Sequence, residues 1–181
     1  GCVVVDDAEK VQHLKKVLKV ELGGTIKMGR VRGSLYTGHA VEITDKSYKF
    51  RVEELANSSF KDEALGVAVL LGTPRPQMTT NICRVAATMG VDELLFVCSE
   101  RVDKSYFKSS SLSPGEMKKN FLKGAEQGVV RQLPAATFFP NHSLEDFLRT
   151  QLPEWEERIK RERGEDVVIV KLIAEPRVPY N

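Results

Sequence analysis

Apolar positions follow one pattern up to about residue 62 and another from residue 63 onward. In "DDAEKVQHLKKVL", Val11, Leu14, Val17 and Leu18 recur at helical spacing behind a run of acids, which predicts a short amphipathic helix. Three short alternating segments follow, "TIKMGRVRG", "YTGHAVEITD" and "YKFRVEEL", separated by Gly or Asp-Lys-Ser punctuation. They predict a small β-barrel or sheet. Within the first of them, Lys27, Arg30 and Arg32 fall among apolar neighbours so that most of the cations share one side. Such a side either contacts phosphate or is a solvent face whose charges discourage edge pairing.

From residue 63 strands and helices alternate. "LGVAVLLG" is a continuous apolar run that fits a strand buried on both faces. "PQMTTNICRVAATMG" sets Met78, Ile82, Val85 and Met89 on one helical face and ends at Gly90, a C-cap. "DELLFVCS" predicts a second buried strand. A helix then starts with Ser113 as N-cap, Pro114 at the first position and Glu116 three residues after the cap. "AATFF" predicts a third strand, a further helix begins after Asn141 or Ser143, and "EWEERIKRERGED" carries ion-pair spacing (Glu156 with Lys160, Glu157 with Arg161) suited to an exposed helix. "VVIVKLIA" completes the series as a fourth buried strand. Alternation of this kind predicts right-handed crossovers and a parallel sheet. The expected division is residues 1–62 and 63–181.

Composition narrows the picture. The 181 residues are 41% hydrophobic and 29% charged, enough to fill a core. No run is long enough to span a membrane, and "GCVVVDDAEK" lacks the marks of a secretory signal, so the expectation is a soluble protein that is not secreted. Cys2, Cys83 and Cys98 are odd in number and scattered, which fits reduced thiols, with core packing expected for Cys83 and Cys98. A net charge of +2 conceals polarity: residues 101–131 hold seven cations against three anions, residues 141–181 seven against nine. A basic middle favours a phosphate backbone, and a solvated helix face would give the same count. Dinucleotide, P-loop, zinc-protease and nucleophile-elbow motifs are missing, and His13, His39 and His142 are dispersed, so no metal is expected. Function should then sit in loops at strand ends, where open parallel sheets bind ligands.

The stretch "LLGTPRPQMTTNICRVAATMGVDELLFVCSERVDKSYFKSSSLSPGEMKKNFLKGAEQGVVRQLPAATFF" resembles the first half of the catalytic domain of the RsmE family. The correspondence runs through "TPRP", "MGV", "SER", "KSYF", "LSP" and the EQ pair, and more weakly upstream through "HLKKVLKVELGGTI". Members are SPOUT-class (trefoil-knot) ribosomal RNA uracil-N3 methyltransferases that use S-adenosylmethionine. The resemblance implies an α/β protein with a small N-terminal PUA-like β-barrel followed by a parallel-sheet, partial-knot domain. It also implies ribosomal RNA as partner, a homodimer, no membrane and a cytoplasmic or organellar location. It presents Arg101, Lys104 and Tyr106 to RNA from the loop after the second strand, with Arg75 and Arg84 as backbone contacts, although Arg84 equally suits a solvated helix position. Arg131, and Arg30 and Arg32 of the basic strand read above, are further RNA-binding candidates, and Phe107 is expected to pack inside. Cations hold phosphates while an aromatic stacks on an exposed base.

Glu100 and Glu126 are positional candidates to accept the N3 proton, each equally suited to an ion pair, and the catalytic residue is otherwise unassigned. "AEPR" corresponds to the start of the cofactor pocket, placing Ala174, Glu175 and Pro176 there, with Glu-Pro where the family has His-Pro. The Gly-Pro-Glu-Gly-Gly strand and the knot-threading segment of the family do not occur in these 181 residues. The expectation is an incomplete chain of such a methyltransferase, or else a non-catalytic RNA- or ribosome-binding module derived from it.

Overall fold

The computed structural model describes residues 1–58, 64–99 and 102–174. The chain is a mixed α/β protein built on two sheets.

The first sheet comprises β1 (Cys2–Val5), β2 (Thr25–Gly29), β3 (Leu35–Ile43) and β4 (Tyr48–Glu54), all antiparallel, in the order β1-β4-β3-β2. Helix α1 (Ala8–Lys16) is capped by the Asp7 carboxylate, which accepts from the Lys10 amide, and it lays Val11 and Leu14 on Ala40, Tyr48 and Phe50. Strand β1 was not foreseen; "CVVV" pairs with β4. The helix is also shorter than its apolar spacing suggests. It ends at Lys16, the chain turns back through Lys19 (φ +49°), and Val17 and Leu18 are left outside. Arg30 and Arg32 do not lie on a strand. β2 stops at Gly29, and the two arginines occupy a tight turn closed by the Gly33 amide donating to the Arg30 carbonyl (2.9 Å), with Arg32 at φ +51°. The turn, not strand alternation, sets their direction.

The second sheet is parallel, in the order β5-β6-β7: β5 (Ala68–Gly72), β6 (Glu93–Val97) and β7 (Ala135–Phe139). Every residue of β6 is buried. Leu94 and Phe96 face α2 (Pro76–Met89) and α3 (Pro114–Gly128), while Leu95 and Val97 pack on the opposite face with Phe147 and Trp155. Two covered faces explain the unbroken apolar run. The caps form as their residues predict: Ser113 Oγ accepts from the Glu116 amide, and Gly90 ends α2 at φ +76°. The last helix is interrupted. α4 (Leu144–Asp146) passes through a π turn (Phe147–Gln151) into α5 (Leu152–Arg163); Pro153 has no amide to donate, and the widened turn accommodates that loss.

Strand β5, expected to be buried on both faces, is an edge strand and only half-buried: Val69 and Leu71 reach one core and Leu70 the other, while Gly72 is exposed. Two further expectations for this unit are corrected. Of the expected face Met78–Ile82–Val85–Met89 only Ile82 packs on the core; the buried face is Thr79, Cys83, Ala86 and Ala87. Helix α3 crosses so closely that a Cβ on Gly124 would lie 2.2 Å from the Arg84 carbonyl oxygen, and one on Gly128 2.3 Å from that of Thr88. Only the small-residue face admits such an approach, so Met78, Val85 and Met89 point outward. Second, "VVIVKLIA" forms no strand: Val168, Val170, Leu172 and Ile173 are 73–94% exposed. Alternating apolar residues become a buried strand only when a neighbour takes their hydrogen bonds and two layers take their side chains; here Val167 and Ile169 are half-covered, and among the described residues no strand pairs with the segment.

Candidate nucleic-acid interface

At the carboxyl ends of the parallel strands the backbone is tied down by a few polar side chains. Buried Thr73 gives both its amide (2.9 Å) and its hydroxyl (3.0 Å) to the Val97 carbonyl, fixing the "TPRP" loop across the end of β6. Thr79 Oγ1 donates back to the Arg75 carbonyl (3.3 Å), and Pro76 starts α2. Arg75 stands exposed at the N-cap of a helix with no acid in its first turn. Gly72 leaves room for the segment after β6, since a Cβ there would lie 2.9 Å from Ser99 Oγ.

That segment continues into a short 3₁₀ helix, Lys104–Lys108. Asp103 caps it by accepting from the Ser105 amide (2.8 Å), and this bond holds its carboxyl below the usual carboxylate range. Phe107 packs against the core around Phe96, as expected, and anchors the turn. Tyr106 is half-buried, while Lys104 and Lys108 are exposed. The arrangement holds two cations outward on a rigid turn. Cys83 is buried, with its thiol pushed up to about 11 by desolvation, so it is an inert core residue; Cys98 is half-buried and Cys2 exposed.

The other candidates lie elsewhere. Arg84 Nε donates to Asn120 Oδ1 (3.0 Å), joining α2 to α3. Arg131 lies between the two sheets: its guanidinium donates to the carbonyls of Gly33 (2.9 Å) and Ser58 (2.5 Å), and its own carbonyl accepts from the Arg32 amide (2.8 Å). Arg30, Arg32 and Arg131 therefore meet at one junction, apart from the loops that carry Arg75, Lys104 and Tyr106. Glu126 pairs with Lys10 and Lys123 with Glu9 (2.7 Å), fastening α3 to α1; the Lys123 hydrogen bond lowers the Glu9 pKa. Glu100, Arg101, Glu175 and Pro176 lie outside the described residues. Thr73 and Gly72 are not among the residues the sequence singles out; a Gly-Thr pair closing an apolar strand is the signal that points to them.

Ala174 is exposed at the end of the exposed Val168–Ile173 segment, so among the described residues nothing there encloses a cofactor, and the fit to S-adenosylmethionine fails for these residues. No group of three or more His, Cys, Asp and Glu side chains suited to a metal occurs among them. No described helix is long and apolar enough to cross a membrane.

The profile of the RNA methyltransferase domain family matches residues 61–162, just over half of the chain. The chain belongs to the RsmE family of RNA methyltransferases. RsmE relatives include ribosomal RNA small subunit methyltransferase E 1 of Borreliella burgdorferi, 28% identical over 132 residues (73% of this chain, 54% of that protein). The Treponema pallidum methyltransferase E is 27% identical over 139 residues (76% and 51%). The chain thus spans about half the length of the curated relatives it matches. Among solved structures, the fold resembles a Legionella pneumophila methyltransferase in complex with SAM (TM-score 0.57, 17% identity, 83% of this chain and 61% of that one). It also resembles the Neisseria gonorrhoeae RsmE bound to S-adenosyl methionine (TM-score 0.54, 16% identity, 76% and 56%).

Proposed function

We propose that this chain is the RNA-holding part of an RsmE-type enzyme that transfers a methyl group from S-adenosylmethionine to N3 of a uracil in small-subunit ribosomal RNA. The observation that carries the reading is the exposed trio Arg75, Lys104 and Lys108 at the carboxyl end of a parallel sheet in a chain of this family. Phosphates bind there, with Tyr106 available to a base; Arg101 extends the same segment. Arg84 adds a contact from α2, and Arg30, Arg32 and Arg131 hold the RNA at the junction with the first sheet. In this reading residues 1–62 are a PUA-like RNA-binding barrel and residues 63–181 the catalytic-domain portion of a cytoplasmic or organellar homodimer. Ala174, Glu175 and Pro176 correspond in sequence to the start of the family's cofactor pocket, but exposed Ala174 does not fit the cofactor, so no catalytic step is assigned to them.

Filter binding of small-subunit ribosomal RNA fragments across a salt series tests the proposal. Affinity is expected to fall steadily with salt, since each neutralised phosphate releases counterions; a flat response would remove phosphate recognition from the reading. The exposure of Ala174 favours a second reading, a non-catalytic RNA-binding module. Calorimetry of the 181-residue chain with S-adenosylmethionine bears on it: no saturable heat is expected, and saturable heat would return a complete cofactor site to this chain.

A further inference from the structure

Beside the basic turn, between α3 and the outer edge of β7, lies an open groove of about 310 Å³. Its walls are apolar, including Leu112, Met117, Phe121 and Leu133, and Lys118 is the one charged side chain lining it among the described residues. Phe138, on the edge strand β7 of the parallel sheet, lines it too and is 37% exposed. This ring stacks on fully buried Phe96, with centroids 5.2 Å apart and planes 16° from parallel. An aromatic backed by a buried ring and bordering open space is a platform already held in place for a second flat ring.

We propose that this groove takes one unstacked base of single-stranded RNA next to the modified nucleotide, with Phe138 as the stacking surface and Lys118 on the adjoining phosphate. The inference rests on the RNA-binding reading above. Charge and continuity select the occupant. Lys104 and Lys108 lead through the short 3₁₀ turn Ser110–Leu112 into the groove wall, and Lys118 on α3 borders the groove itself. Of the two carboxylates in this stretch, Asp103 is engaged in capping. An apolar slot with a flat floor and a cationic border suits a nucleotide, whose base is planar and whose linkage is anionic. Its volume is at the small end of the roughly 300–1,000 Å³ usual for ligand pockets.

The test uses the full chain and a short single-stranded RNA carrying a fluorescent adenine analogue whose emission is quenched by stacking. Wild type is expected to quench it. Phe138→Leu keeps the position apolar but removes the ring, and is expected to abolish quenching and weaken binding about tenfold, within the range measured for base–aromatic stacking. Duplex RNA should bind both proteins equally, because paired bases cannot enter. Lys118→Gln, at an exposed helix position, should lower the salt slope by about 0.7. Undiminished quenching in Phe138→Leu, or an equal loss for duplex and single strand, overturns the proposal while leaving RNA binding intact. A wild-type dimer that Phe138→Leu dissociates overturns it in favour of an interface between copies. Should Phe138→Leu fail to fold, an unchanged salt slope in Lys118→Gln decides against it. Absence of any RNA binding by wild type overturns both this proposal and the reading beneath it.

Discussion

The two ends of the parallel sheet are built on opposite electrostatic plans. At the amino end, charges are consumed internally. Glu93, buried at the start of β6, accepts from Thr137 Oγ1 (2.8 Å), Trp155 Nε1 (2.8 Å) and Arg158 (2.6 Å). Its neighbour Asp92 accepts from the amides of Gly66 and Val67 and pairs with Arg163. At the carboxyl end, Arg75, Lys104 and Lys108 have no ion pair among the described residues, and the polar bonds there hold backbone instead. Buried Glu93 and half-buried Asp92, each holding several donors, make one end a fastening for α5. Outward cations on a fixed loop leave the other end ready for an anion. The contrast teaches that a single sheet separates stability from recognition by assigning them to opposite strand ends.

Variants can break or sharpen that contrast. The largest effect is expected away from both ends. Gly124→Ala drives a methyl into the Arg84 carbonyl, and because backbone cannot yield as a side chain can, it should cost about 2–3 kcal/mol of stability. Chemical denaturation would measure it, and RNA affinity of the folded fraction should be unchanged. Next, Glu93→Ala strips the acceptor from Trp155 and Arg158. Since Arg158 is 42% exposed and can rehydrate, the cost should be about 2 kcal/mol, with RNA binding again unaffected. If Glu93→Ala weakened RNA binding as much as stability, the separation of the two ends would fail.

The converse variant, Lys104→Ala with Lys108→Ala, should leave the unfolding midpoint in place and reduce the salt slope of RNA binding by about 0.7 per lysine. The smallest effect concerns pH. Asp103 has a lowered pKa in the folded protein, so the cap it forms is fully present above its ordinary value of 3.8 and is lost as pH falls through the lower folded value. Hydrogen exchange at the Ser105 amide should accelerate only in that acid range, once allowance is made for intrinsic exchange; acceleration near neutrality would show that something else holds the turn.

Much of the second unit could be read before its structure was known. β5, α2, β6, α3 and β7 follow their apolar runs and caps, since a Ser-Pro start or a Gly stop acts on residues within a turn or two of itself. The inward packing of Phe107 was readable because the "KSYF" turn is local. Other roles depended on partners distant in the chain. Glu126 pairs with Lys10, and Arg131 reaches carbonyls 73 and 98 positions away.

By itself the amino-acid sequence determined the alternation of strand and helix, the positions of the caps and membership in the RsmE family, all of which depend on residue types at short spacing. Tertiary structure alone decided which face of α2 is buried and that the turn carrying Arg30 and Arg32 is bonded to Arg131. It also decided that "VVIVKLIA" stays unpaired and that Phe138 borders an open groove. The physical reason is common to all four: burial and hydrogen bonding at a position belong to whichever segments of the chain arrive beside it, and local spacing carries no information about those arrivals.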